Sequence, residues 1–189
     1  MKKSIRYLVI SALVLAAGQS YAKGGSGDGV LLSLNPMMKT QKTELDGTAV
    51  LDMKSTLMDI NLGYQMSNGL YLGALYVTDS GEISTLKSTV TGLGVSVGYM
   101  KSGWFVHGHY ILSSEFDQDT STADKWKKGT GIQTDLGYMA PISGVFYLGI
   151  QLTYRALEYK TFESSGVDIT TSTYKLTDMT PKLRLTFIF

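Results

Sequence analysis

The sequence predicts an all-β protein, an eight-stranded antiparallel up-and-down transmembrane β-barrel. Three observations predict it. Apolar residues recur at every second position through successive segments, the period of a strand whose two faces differ. The face opposite the apolar one is rich in Gly, Ser, Asn and Gln and poor in charge. The connections alternate between short and long, as in a meander whose two ends meet different compartments.

The first strand is "VLLSLNPMMKT", with Leu32, Leu34 and Met38 opposite Ser33, Asn35 and Lys39. In "MDINLGYQM", Met58, Ile60, Leu62, Tyr64 and Met66 oppose Asp59, Asn61, Gly63 and Gln65. "LYLGALYV" is apolar on both faces; Gly73 matches the small-residue face, which sets Leu72, Ala74 and Tyr76 outward. "TGLGVSVGYM" sets Leu93, Val95, Val97 and Tyr99 against Gly92, Gly94, Ser96 and Gly98. "WFVHGHYILSSEF" sets Trp104, Val106, Tyr110 and Leu112 against His107, His109, Ser113 and Glu115. In "GIQTDLGYM", Ile132, Thr134, Leu136 and Tyr138 oppose Gln133, Asp135 and Gly137. "VFYLGIQLTYRAL" sets Phe146, Leu148, Ile150, Leu152 and Tyr154 against Tyr147, Gly149, Gln151, Thr153 and Arg155. The closing strand, "KLRLTFIF", sets Leu183, Leu185, Phe187 and Phe189 against Lys182, Arg184 and Thr186.

Residues 67–69, 101–103 and 140–144 carry the Ser, Asn, Lys and Gly of tight hairpin turns. Longer polar stretches, at roughly residues 41–54, 79–87, 117–129 and 160–173, read as outward loops.

Upstream of the strands, Lys2, Lys3 and Arg6 precede an apolar run from Tyr7 to Gly18, and Ser20-Tyr21-Ala22 suits cleavage. The expected organisation is a signal peptide over 1–22, a flexible leader over 23–29 and a barrel over 30–189. The whole chain has 189 residues and a formal charge of +1; without those three cations, 14 basic face 16 acidic residues, or −2. There is no basic stripe or motif for nucleic acid. With no cysteine, an exported chain has no disulfide framework.

A soluble sandwich also alternates, but its wetted face usually carries Lys, Glu, Thr and Arg. Here that face is small and neutral, which suits a cramped interior. The apolar face places Tyr64, Tyr99, Tyr138 and Phe187 near the tight turns and Tyr76, Tyr110 and Tyr154 towards the long connections. Two aromatic bands match the two interfaces of a bilayer. Closure follows, because an unpaired backbone group in hydrocarbon costs several kcal/mol. Pro36 and Pro181 sit in the two strands that must meet, where proline suits a rim or a bulge better than mid-ladder.

Together these features resemble the small eight-stranded outer-membrane barrels of the OmpA-barrel and OmpX type, over roughly Val30 to Phe189. The resemblance implies a monomer in a bacterial outer membrane, among lipid and lipopolysaccharide. It also implies that the terminal strand, with Phe187 and Phe189, is read by the barrel-assembly machinery.

With polar faces inward, the expected lumen network is Asp59, Asn61, His107, His109, Glu115, Gln133, Asp135, Gln151, Arg155, Lys182 and Arg184. Unpaired interior charge is costly, so two layers are expected: Arg184 with Asp135, and Arg155 with Glu115 or Asp59. His107 and His109 share a strand face and raise two sharper readings. A metal site would need a third ligand from Asp or Glu. An acyl-hydrolase site would draw on Ser113 and Glu115, but acyl chains would not reach inward histidines. The plain alternative is a pair of satisfied lumen histidines.

Among the loops, Lys125, Trp126, Lys127 and Lys128 form a cationic, aromatic patch suited to lipopolysaccharide phosphate or a partner surface. The β-branched run Val167 to Thr173 reads as an extension of the last two strands. The expected function is non-enzymatic and cofactor-free: surface structure, envelope integrity or loop-mediated contact with an unidentified partner. A narrow pore and a lipid-modifying enzyme are the alternatives.

Overall fold

The computed structural model describes residues 28–45, 48–83, 86–118, 124–164, 166–169 and 173–189. The expected signal peptide and most of the expected leader fall outside them. Seven strands follow one another: β1 (Gly29–Leu45), β2 (Thr48–Gln65), β3 (Leu70–Ile83), β4 (Leu86–Lys101), β5 (Trp104–Gln118), β6 (Lys125–Ser143) and β7 (Phe146–Tyr159). After the short β8 (Thr161–Ser164) and β9 (Val167–Ile169), β10 (Tyr174–Ile188) completes the wall. Each wall strand pairs antiparallel with its neighbour, β5 with β6 and β10 with both β7 and β1, so the sheet closes. The transmembrane barrel that the alternation predicts is the fold, with β1–β7 and β10 as its eight strands.

The outward apolar residues form the belt that faces lipid: Leu72, Leu93, Val95, Val97, Leu136, Ile150 and Leu183 are all exposed. Tyr64, Tyr99 and Tyr138 edge it on the turn side, and Tyr76, Tyr110 and Tyr154 on the other. The tight turns follow their residues. Ser102 and Gly103 have φ of 52° and 85°, the pair of positive angles a type I′ hairpin needs.

The outer ends depart from expectation. The polar stretches read as loops are largely strand: β1 and β2 pair up to Leu45↔Thr48, and β3 and β4 up to Ile83↔Leu86. Their tips lie outside the described residues. The β-branched run does not prolong the β7–β10 pairing. Val167–Ile169 instead forms a small hairpin with β8, which pairs with the start of β6 through Trp126↔Phe162; residues 170–172 lie outside the described ones.

The lumen is less polar than its glycines suggested. Leu31, Tyr71, Phe105, Ile111 and Met139 are buried within it. The inward glycines make room for these side chains. A β-carbon on Gly63 would lie 2.6 Å from the Tyr71 ring, one on Gly137 2.6 Å from Phe105, and one on Gly98 would run into the His107 ring. Small residues on one strand thus accept rings from the next, which fills a bore just wide enough for its own side chains.

Candidate functional site: the lumen network and its outer rim

Asp59 on β2 is the hub. Its Oδ2 accepts from Lys182 Nζ at 2.6 Å and from Gln133 Nε2 at 3.0 Å, and its Oδ1 from Arg155 Nη2 at 2.6 Å. Arg155 also donates to Asp79 and, through Nε, to Gln133 Oε1 at 2.6 Å. From Gln133 the chain runs to Asp135 Oδ1 at 3.1 Å. Asp135 Oδ2 lies 3.0 Å from His109 Nε2, and Ser96 Oγ lies 2.7 Å from His109 Nδ1. One connected network therefore crosses the bore from β3 to β4 by way of β2, β5, β6, β7 and β10.

A second network lies towards the turns. Arg184 donates from Nη1 to Gln151 Oε1 at 2.9 Å and from Nε to Thr186 Oγ1 at 3.2 Å. Thr186 meets Ser33, which donates to Asn35. The Arg184 guanidinium also lies 4.1 Å over the Phe105 ring. Across both networks three carboxylates, Asp59, Asp79 and Asp135, match three cations, Arg155, Lys182 and Arg184.

Expected members divide accordingly. Asp59, His109, Gln133, Asp135, Arg155 and Lys182 share the first network, while Gln151 and Arg184 belong to the second. His107 makes no hydrogen bond through either nitrogen; its ring stacks on Tyr71 at 4.5 Å and leans on Phe105 at 5.1 Å. The Asn61 side chain is buried without a hydrogen-bond partner among the described residues.

Glu115 is a correction. The β4–β5 register shifts after Leu93, and Leu112 and Ser113 both face out, so Ser114 and Phe116 point inward while Ser113 and Glu115 are exposed. Neither residue can then complete a hydrolase site with the histidines. The expected pairing of Arg184 with Asp135 is also replaced: Arg184 bonds neutral groups, and Asp135 takes His109. Replacing Arg184 by Met should cost about 1–3 kcal/mol in urea unfolding, because no carboxylate loses a hydrogen-bonded partner but the buried Gln151 carboxamide oxygen loses its donor.

Sequence reasoning missed Asp79 and Ser96 as network members. Asp79 lies two positions beyond Val77 on the inward face of β3, and continuing the alternation past Tyr76 would have found it. Ser96, His109 and Asp135 form a serine–histidine–aspartate relay in hydrogen-bond contact, the arrangement that activates a nucleophile when substrate can reach it. Ser96 is 6% exposed. None of the three lines either an outer cavity, among Leu57, Asp79, Phe116, Arg155 and Leu176, or a concavity on the turn side, among Gln65, Tyr99, Met139 and Tyr147. Among the described residues, no group of three potential ligands could hold a metal.

The outer rim is aromatic. Trp126 packs on Phe162 and Tyr174 with centroids 4.9 and 5.2 Å apart, and Tyr174 stacks on Phe116 at 5.6 Å. Trp126 and Lys125, Lys127 and Lys128 belong to β6, not to a loop. Lys125 pairs with Asp117 at 2.9 Å, and Lys127 with Glu163. The bond to Asp117 raises the Lys125 ammonium pKa. Two of the cations expected to meet phosphate are thus already partnered.

Fold and lumen together define a small transmembrane β-barrel of the outer-membrane type whose bore is crossed by buried polar and aromatic side chains. No family model and no curated protein matches the chain. Among solved structures it is similar to the β domain of the Bordetella autotransporter BrkA, with a TM-score of 0.44 and 14% identity over 84% of this chain and 71% of that one. It is also similar to the outer membrane protein OprG from Pseudomonas aeruginosa, with a TM-score of 0.44 and 10% identity over 88% and 98%. The translocator domain of the autotransporter NalP from Neisseria meningitidis gives 0.37 and 12% over 95% and 67%.

Proposed function

We propose that this chain is a non-enzymatic protein of the bacterial outer membrane that works through its rim: it contributes to envelope integrity or contacts a partner at the surface. The bore supports this reading above a channel. The Asp79–Arg155–Asp59–Lys182 chain and the Gln133–Asp135–His109–Ser96 chain lie across it. Beneath them Tyr71, Phe105, His107 and Met139 fill it. The outer cavity of 560 Å³ and the turn-side concavity of 620 Å³ share no lining residue.

An enzyme reading would rest on the Ser96 relay, and the burial of Ser96 weighs against it. The β8–β9 hairpin, with Val167 and Ile169 exposed, is the element best placed to meet a partner.

The purified barrel should show no stable conductance in planar bilayers; discrete, lasting channel steps would overturn the plugged reading. In cells lacking the chain, restored exclusion of a large dye by the intact barrel, but not by one whose residues 161–169 are replaced with a Gly-Ser turn, would place the work at the rim. Equal rescue by both would place it in the wall.

A further inference from the structure

The β1–β10 seam is paired only in its inner half. Val30 and Phe189 exchange both backbone bonds, at 3.1 and 3.0 Å. An antiparallel ladder repeats that exchange every second residue, so Leu32 with Phe187 and Leu34 with Leu185 are the next such rungs. The two rungs after them would join Pro36 to Leu183 and Met38 to Pro181. Each contains a proline, on opposite strands, and neither ring has an N–H to give. Pairing stops at Leu34↔Leu185, while β1 stays paired with β2 to Leu45 and β10 with β7 to Tyr174. Two edges therefore face each other unpaired across the outer half of the wall.

The prolines act on both states of this seam. In a zipped seam each would remove one of the two bonds of its rung. In the split seam each removes an N–H that hydrocarbon would otherwise leave unsatisfied. Splitting is cheaper here than at any seam with complete rungs.

What lies on either side indicates the guest. On the lipid side Met38 and Met179 are 81% and 63% exposed, and methionine is flexible enough to line a variable opening. On the inner side is the outer cavity, walled by Leu57, Val90, Phe116, Tyr174 and Leu176 above the Arg155–Asp79 pair. Thr177, on the outward face of β10, also lines it, so the cavity reaches the free edge. Its 560 Å³ falls within the range of about 300–1,000 Å³ usual for small-ligand sites. A free edge commonly recruits another strand, but proline rings on both edges deny an incoming strand its acceptor's donor. An acyl chain needs no donor.

We propose that the split between β1 and β10 is a lateral port through which one acyl chain of a surrounding lipid enters the outer cavity. This is independent of the rim-contact role and requires only the membrane placement. The cavity then holds the chain against Leu57, Val90, Phe116 and Leu176, while the headgroup stays at the surface.

The test reconstitutes the full barrel in vesicles of phosphatidylethanolamine and phosphatidylglycerol carrying a trace of phosphatidylcholine with a diazirine at the end of one acyl chain. After illumination, mass spectrometry should find label on the cavity wall as well as on the belt. The double variant Pro36→Val, Pro181→Val restores both donors and should zip the seam. Cavity labelling should then fall on the order of tenfold, the shift expected of two added hydrogen bonds, with belt labelling unchanged. Should that variant fail to fold, Leu176→Trp fills the cavity and should remove the same label. Label confined to belt residues in the unaltered protein would overturn the port. So would cavity labelling that survives both the zipped seam and the filled cavity, or a second copy of the chain found cross-linked strand to strand along β1 and β10.

Discussion

Replacing Asp59 by alanine should lower the unfolding free energy of the barrel by about 3–5 kcal/mol, the usual cost of removing one partner from a buried ion pair. Asp59 is fully buried and accepts from Arg155, Lys182 and Gln133 at once. Its loss leaves the Lys182 ammonium without a carboxylate and Arg155 with only Asp79. Urea titration in detergent, followed by tryptophan fluorescence and by the heat-dependent shift of the folded band on gels, reads this directly. The variant Asp59→Leu combined with Lys182→Met removes the charge and one of its two counter-ions together, leaving Arg155 to Asp79. It should recover about half or more of the loss, since a buried pair is often replaced by apolar residues without cost. Equal stability of Asp59→Ala and the unaltered protein would show that the bore is wet enough to solvate both cations, and the plug would have to be abandoned.

Replacing Gly98 by valine should cost about 3 kcal/mol, the upper end of what overpacking a filled core costs. The added carbons meet the His107 ring, which cannot retreat because Tyr71 stacks on it and Phe105 packs beside it. The control lies on β5. Gly108 faces outward, and the nearest atom to a β-carbon there is the Val97 carbonyl oxygen at 3.9 Å. Gly108→Ala should leave the same urea midpoint no lower, and slightly higher where the strand gains from losing a glycine's chain entropy. A loss at Gly98 no larger than at Gly108 would show that ring packing does not set the cost.

The wall was legible because lipid on one side and a cramped bore on the other force unlike residues to alternate. Leu93, Val95 and Val97 against Gly92, Gly94 and Ser96 could hardly be read otherwise. Strand ends were harder to place. Beyond the aromatic bands both faces of β3 and β4 turn polar, so the period persists in geometry while fading in hydropathy, and Asp79 was lost to a supposed loop. Glu115 failed for a different reason. A bulge adds one residue to a strand without changing composition, and only the neighbour's register reveals that Leu112 and Ser113 both face out.

The partner of Arg184 failed because height was counted along strands without the stagger between them. Through their shared neighbour β7, Arg184 lies opposite Gly149 and Asp135 opposite Thr153. That separation leaves Arg184 to Gln151 and Thr186. The Ser96–His109–Asp135 relay was invisible for the same reason, since three strands had to be aligned before a serine could be assigned to His109.

The half-length ladder between the first and last strands also determines how this object comes apart. A barrel stave bound along its whole length resists peeling evenly, but here a tear line already runs down to Leu34 and Leu185. Denaturant or mechanical load therefore finds its first purchase at the outer half of the seam between the first and last strands. β1 and β10 peel from each other while the fully laddered staves between them stay paired.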